Sequence, residues 1–355
     1  MKKSFTLIEL IIVIVILGIL SSITFDVLTK VYKNYLYKKE MNKLNSKVSI
    51  TLEMISARLR DRIRNSVIVT KYPANFTDNN PAKVDFKSIA EIQDNDTKYK
   101  ILEWINKDYE AKNGMWDKRV QHIQTGWSGF IDLDLQQPNH KTNENPKEFN
   151  VTTIDSNFTM VKMIDYNITH YLGEDSDPFE SNTTTLIFSG IDLGGDIVDD
   201  INHSYGWYLL DPNRQAKAVF AIESYHEYLG PNNTPRDDLN ITSITKNDNT
   251  NKLYSRYFLA RSAYALVPIE NNETLEDGTQ INDYNLTFVY NYQPWQGEWF
   301  KDGNKTLLAT HVTEIRFKKD LDTPMVRIYL CIQSPSIIID NNGTHLNVCK
   351  EKAMF

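Results

Sequence analysis

One run constrains this chain more than any other: MKKSFTLIELIIVIVILGILSSITF, in which Glu9 is the only charge across the twenty-one positions from Phe5 to Phe25. At ~1.5 Å per residue a helix of that length spans the ~30 Å hydrocarbon core of a bilayer. Lys2 and Lys3 precede the run, which keeps the N-terminus cytoplasmic and exports the remainder. A carboxylate one turn into such a helix is costly in lipid and needs a partner. An amine supplies one: the α-amino group that a cut before Phe5 would create on a neighbouring copy of a similar helix.

The helix is expected to continue beyond the membrane. Leu44, Val48, Leu52, Ile55, Leu59 and Ile63 recur at steps of three and four, which is one helical face. Residues 26–66 therefore read as an amphipathic continuation of the membrane half, 5–25, giving a rod of ~60 residues. Its other face is basic, with Lys30, Lys33, Lys38, Lys39, Lys43, Lys47, Arg58, Arg60, Arg62 and Arg64. Such a face suits solvent near anionic headgroups, or a contact with acidic neighbours. The chain as a whole carries a net charge of −7, which makes direct nucleic-acid binding an unfavourable reading.

Residues 67–355 are enough for one large or two modest domains. They read mostly as β, in short alternating or β-branched runs at 127–135, 158–164, 184–191, 219–225, 254–267, 286–292, 311–317 and 325–332. In the last run Val326, Ile328, Leu330 and Ile332 face one way. One helix is expected in this region, Tyr99–Ala111, on the spacing of Ile101, Ile105 and Tyr109. The fold class is thus α+β, a long N-terminal helix packed on a β-rich head. Only two cysteines occur, Cys331 and Cys349. Export places both in an oxidising compartment, where a disulfide is expected; free thiols are the alternative.

The leader Lys2-Lys3-Ser4 and the sequence FTLIEL at Phe5–Leu10 resemble the class III leader of type IV pilins and type II secretion pseudopilins. That resemblance implies a leader of residues 1–4, a cut between Ser4 and Phe5 by the prepilin peptidase, and N-methylation of Phe5. Ser4 stands where the family usually has Gly. The apolar helix would be retained, and Glu9, fifth in the mature chain, would neutralise the Phe5 amine of an adjacent subunit during assembly. The localisation implied is the bacterial inner membrane, single-pass, with a periplasmic head or one extruded in a filament. An uncleaved signal anchor is the alternative. The segment LATHVTEIRFKKDLDTPMVRIYLCIQ resembles the closing hairpin of larger minor pseudopilins. A bulky head suits a minor subunit. The largest tip pseudopilin typically lacks this Glu, so Glu9 points to a place below the tip or to a pilus-type minor subunit. Partners would be other pilins or pseudopilins, in a machine for secretion, DNA uptake in natural transformation, or pilus extension. A glycosylated adhesin head and a non-polymerising signal-anchored binding protein remain as other classes.

Asparagine provides a second signal. Asn-x-Ser/Thr occurs thirteen times, and ten instances carry Asp or Glu two residues earlier. Acids are 46 of 355 residues, so chance predicts about two. The ten are Asn150, Asn157, Asn167, Asn182, Asn202, Asn240, Asn272, Asn285, Asn304 and Asn342. Their extended pattern resembles the acceptor of bacterial N-oligosaccharyltransferases, which implies N-glycans on the exported side. Acid–asparagine turn chemistry is the competing reading.

Catalytic patterns are thin. The seven histidines are scattered without HExxH spacing, and no P-loop, GxGxxG or GxSxG occurs, so the expectation is a non-enzyme with no cofactor. A weak Ca²⁺ candidate gathers Asp192, Asp196, Asp199 and Asp200 around a Gly pair.

Overall fold

The computed structural model describes residues 7–71, 80–93, 96–137, 148–188, 201–211, 214–245, 254–271, 274, 283–319, 325–339 and 343–354. Its first element, α1 (Leu7–Leu59), is 53 residues long. The chain then lays down β1 (Ile68–Lys71), β2 (Phe86–Ser88), β3 (Tyr99–Ile105), α2 (Tyr109–Lys112), β4 (Met115–Asp117), β5 (His122–Gln124), β6 (Ile131–Gln137) and β7 (Glu148–Ile154). Next come α3 (Phe158–Tyr171), β8 (Thr185–Phe188), α4 (Ile201–Ser204), β9 (Val219–Leu229), β10 (Pro235–Ser243) and β11 (Tyr257–Ala260). The last part holds β12 (Ala263–Asn271), β13 (Asp283–Tyr292), β14 (Asn304–Lys319), β15 (Val326–Ile338) and β16 (His345–Met354).

Two main sheets result. The larger has the order β16-β15-β14-β13-β12-β3-β1-β2, the smaller β11-β8-β9-β10-β7-β6, and β4 with β5 forms a separate hairpin. The part of the larger sheet formed by β1, β3, β12 and β13 is buried on both faces, and its sequence shows why. Val69, Leu102, Trp104, Leu266, Leu286 and Phe288 join the face of α1 in one core, while Ile68, Ile101, Ile105, Ala265, Val267 and Val289 point into a second. Side chains alternate along a strand, so adjacent apolar residues feed opposite cores. The second core continues through Ile187, Val219 and Ala260 into the smaller sheet, whose far side packs on α3 through Phe158 and Val161.

The face foreseen for α1 is the one that is buried: Leu44, Val48, Leu52, Ile55 and Leu59 all lie in the core, and Ile63 follows them. The helix ends at Leu59, and Ile63 opens a turn leading to β1. That end falls short of the 66 expected, the run 254–267 divides between β11 and β12 in different sheets, and two further elements change type from the sequence reading. Tyr99–Ile105 is a strand, not a helix, between β12 and β1. A step of four is a multiple of two, so Ile101 and Ile105 share a strand face as readily as a helical one. Conversely, Phe158–Ile164 belongs to α3 and not to a strand. Asn157 caps that helix, its side-chain oxygen accepting from Met160 N at 2.9 Å. Phe158, Val161, Asp165 and Thr169 then recur at steps of three and four on the buried side.

Candidate functional site

The bare half of α1 is the candidate assembly site, and the way the head grips the other half sets its reach. Every residue from Leu7 to Lys39 is exposed in the isolated chain. That stretch of 33 residues is ~50 Å long, more than the ~40–45 Å of a bilayer with its headgroups. The purely apolar part ends near Phe25. Beyond it Tyr32, Tyr35 and Tyr37 alternate with Lys30, Lys33, Lys38 and Lys39, the composition of an interfacial belt. Within the apolar part, Thr24 returns its hydroxyl to Leu20 O at 2.8 Å, so that polar group is satisfied inside the helix. Asp26 pairs with Lys30 at 2.8 Å, one turn on.

Glu9 lies on the first turns of this helix, ~46 Å from Glu40, where head contact begins. Ser4 and Phe5 lie outside the described residues. The structure thus places Glu9 on the exposed apolar half of the rod, far from the head.

The grip itself is polar at its edges and apolar along its centre. Ser334 Oγ on β15 donates to Glu40 Oε1 at 3.1 Å. Lys350 Nζ on β16 donates to Ser49 Oγ at 2.7 Å and to Asn45 O at 3.3 Å. Lys47 Nζ reaches Thr310 Oγ1 at 2.7 Å and Thr310 O at 3.0 Å on β14. Burial holds the Lys47 ammonium below its usual lysine value, with Lys43 adding to the shift. At the helix end Arg62 is buried and donates to Leu59 O at 2.7 Å and Met354 O at 3.3 Å. Burial lowers it to about 10. Lys47 and Arg62 therefore leave the basic solvent face assigned to them from sequence; a guanidinium is the natural donor for the terminal carbonyls of a helix.

Cys331 and Cys349 are bridged, as expected. They are register partners on β15 and β16, the strands on which the buried half of α1 rests, with Cα atoms 4.0 Å apart. The two strands of the segment LATHVTEIRFKKDLDTPMVRIYLCIQ pair, β14 with β15 antiparallel from Lys319 opposite Val326 to Val312 opposite Ile332.

The ten acidic asparagine motifs are placed unequally. Asn150 and Asn240 lie half-buried in β7 and β10, Asn285 half-buried in β13, and Asn167 exposed on α3 above a buried Asp165. Asn157 caps α3, Asn182 follows a turn at positive φ, and the Asn202 oxygen accepts from Arg214. Asn304 is exposed, and Asn272 and Asn342 lie outside the described residues. The Ca²⁺ candidate Asp192, Asp196, Asp199 and Asp200 also lies outside them.

Sequence reasoning missed a buried carboxyl. Glu103 of β3 sits between the sheets, accepting from Thr70 Oγ1 at 2.7 Å, Tyr208 Oη at 2.6 Å and Tyr292 Oη at 2.9 Å. Burial raises its proton affinity against the opposing pull of these three hydroxyls. The only sequence signal is a lone acid in an apolar strand, KILEWI.

Residues 1–25 match the family model for the prokaryotic N-terminal methylation motif. No curated protein and no solved structure matches the chain. A prepilin-type N-terminal motif leading into one long helix, apolar in its first half, with a β-rich head behind it, is consistent with a type IV pilin-like or pseudopilin chain. The motif suggests a structural subunit that interacts with other pilins and with the prepilin peptidase, and the apolar start of α1 suggests a single-pass anchor.

Proposed function

We propose that this chain is a minor pseudopilin, an assembly subunit of a type II secretion-like or DNA-uptake pseudopilus with its head in the periplasm. The peptidase cuts between Ser4 and Phe5, Phe5 is N-methylated, and Glu9 pairs with the Phe5 amine of a neighbour. One observation carries this reading: the matched motif of residues 1–25 opens a helix left bare for 33 residues. A lone monomer has no use for ~20 Å of exposed helix beyond the hydrocarbon core, whereas packed neighbouring rods would cover it. The Asp/Glu-x-Asn-x-Ser/Thr motifs add N-glycans from a bacterial N-oligosaccharyltransferase on the exported side.

The test has two parts. N-terminal sequencing of the native protein should give N-methylphenylalanine; an intact Ser4–Phe5 bond would leave a simple signal anchor. Deletion of the gene, complemented by wild type or by Glu9→Leu, is scored for transformation and for secretion. Full rescue by Glu9→Leu would remove the assembly role of that carboxylate.

A display role on a true pilus is favoured by one patch. Met115, Trp116 and Ile123 stand exposed on the β4–β5 hairpin, with Trp116 and Ile123 as register partners. If display is the function, Trp116→Ala abolishes surface attachment while filaments persist; if both persist, this reading is discarded.

A further inference from the structure

An acid-x-Asn-x-Thr motif puts its three polar side chains at i, i+2 and i+4, which is also the spacing of one face of a strand. The fold uses the motif in that way. Glu148, Asn150 and Thr152 share one face of β7, and Asp238, Asn240 and Thr242 share one face of β10. The strands pair antiparallel with Thr242 opposite Glu148, Asn240 opposite Asn150 and Asp238 opposite Thr152. The acid of one motif is taken by the hydroxyl of the other, Thr152 Oγ1 donating to Asp238 Oδ1 at 2.6 Å. Both strands are hydrogen-bonded on two sides, β10 by β9 and β7, and β7 by β10 and β6. A transferase must read acid, amide and hydroxyl together, and neither strand leaves the sheet to be read without breaking a ladder.

The other motifs are closed for separate reasons. Around Asn285, Asp283 is buried and accepts from Asn271 Nδ2 at 2.8 Å and Gln333 Nε2 at 2.9 Å. Around Asn167, Asp165 is buried and accepts from Thr184 Oγ1 at 2.6 Å, which also removes the hydroxyl of the Asn182 motif. The Asn157 amide is spent at both ends, on Met160 N and on Asp117 Oδ2 at 2.9 Å. Beside Asn202, Ser204 is buried.

Asn304 differs. Asp302, Asn304 and Thr306 are all exposed, and among the described residues no other acidic motif has all three of its groups so. The motif follows a turn in which Asp302 N donates to Trp299 O at 2.9 Å and Asp302 Oδ2 accepts from Trp299 N at 3.0 Å. That bond is local to the turn and leaves the Asp302 residue exposed. Over Asn304–Ala309, β14 pairs with β13, while β15 joins it only at Val312, so the opposite edge of this stretch is unpaired by β15. Leu307 stands 58% exposed on the same stretch.

We propose that Asn304 is the modification site among the described acidic motifs, carrying an N-linked oligosaccharide read through Asp302 and Thr306, and that the other seven described motifs are closed by the fold. This rests on the glycosylation reading above and narrows its eight described motifs to one. The donor class is an oligosaccharide on a lipid diphosphate. Asn304 Nδ2 forms a bond to the anomeric carbon of the first sugar, the bond from that carbon to the diphosphate oxygen breaks, the lipid diphosphate departs, and the amide proton passes to a base of the transferase. The sugar then shields an edge that would otherwise invite pairing with another strand.

The experiment is glycopeptide mapping by mass spectrometry on the full-length chain from its native host, beside intact masses of wild type, Asn304→Gln and Asn240→Gln. Sugar on Asn304 and on none of the seven is expected, with Asn304→Gln lighter by one complete glycan and Asn240→Gln keeping its full complement. Sugar on any of the seven, or a glycosylated chain bare at Asn304, overturns the site assignment and leaves the broader reading standing. An intact wild-type mass without any sugar removes both.

Discussion

Thr152 Oγ1 on β7 donates to Asp238 Oδ1 on β10 at 2.6 Å, joining two copies of one polar motif across the smaller sheet. A hydroxyl–carboxylate bond of this kind is short because the acceptor is charged. Thr152 is almost fully buried while Asp238 is exposed, so the bond ties a buried hydroxyl to the solvent face. Thr152→Val keeps the side-chain shape and removes the donor. It should cost about 1 kcal/mol by urea denaturation, and Asp238→Asn on that background should cost little more. Fully additive losses would mean that the two side chains are not coupled.

Reduction of the Cys331–Cys349 bridge should loosen the surface on which α1 rests. A closed loop of 18 residues constrains the unfolded chain by about 3 kcal/mol. Cys331→Ser with Cys349→Ser should lower the urea midpoint by a comparable amount. Dithiothreitol should do the same to wild type and nothing to the double variant.

Lys350 is the best single test of the rod's seat, since one ammonium holds both Asn45 O and Ser49 Oγ. Lys350→Met preserves the aliphatic stem and removes the donors. A loss of about 1–2 kcal/mol is expected, with faster hydrogen exchange confined to residues 44–59. Exchange that rises uniformly over the head would assign Lys350 to the sheet instead.

Glu103 gives the head a pH dependence of definite sign. Burial raises its folded-state value above the ordinary 4.5, so the folded chain holds this proton more tightly than the unfolded one. The stabilisation is complete below 4.5 and is lost as pH climbs from there towards the folded value. Glu103→Gln has no such proton. The stability of wild type minus that of Glu103→Gln should fall as pH rises above 4.5, by at most ~1.4 kcal/mol per pH unit. A difference that stays flat from pH 4 to 8 would mean that Glu103 is ionised in the folded head.

The N-terminal helix, apart from its end at Leu59, is legible in the amino-acid sequence, because its causes are local. An apolar run long enough to cross a bilayer and a buried face at steps of three and four, from Leu44 to Leu59, depend on neighbours along one helix. The same holds for the β15 face of Val326, Ile328, Leu330 and Ile332 and for Glu9 as the lone charge of the run. Tertiary structure decided what spacing alone leaves degenerate. A step of four serves a strand as well as a helix, so Tyr99–Ile105 became β3 because β1 and β12 were there to pair with it. Phe158–Tyr171 became a helix because Asn157 caps it and the smaller sheet takes its apolar side. Cys331 faces Cys349, Arg62 reaches Met354, and three hydroxyls close on Glu103, all through pairings between positions 18 to 292 residues apart. The asparagine motifs show the division most clearly. Sequence determines that ten carry the acid, but which of the described motifs stands open depends on strand pairing, helix capping and burial of the acid or hydroxyl, and only the folded chain determines those.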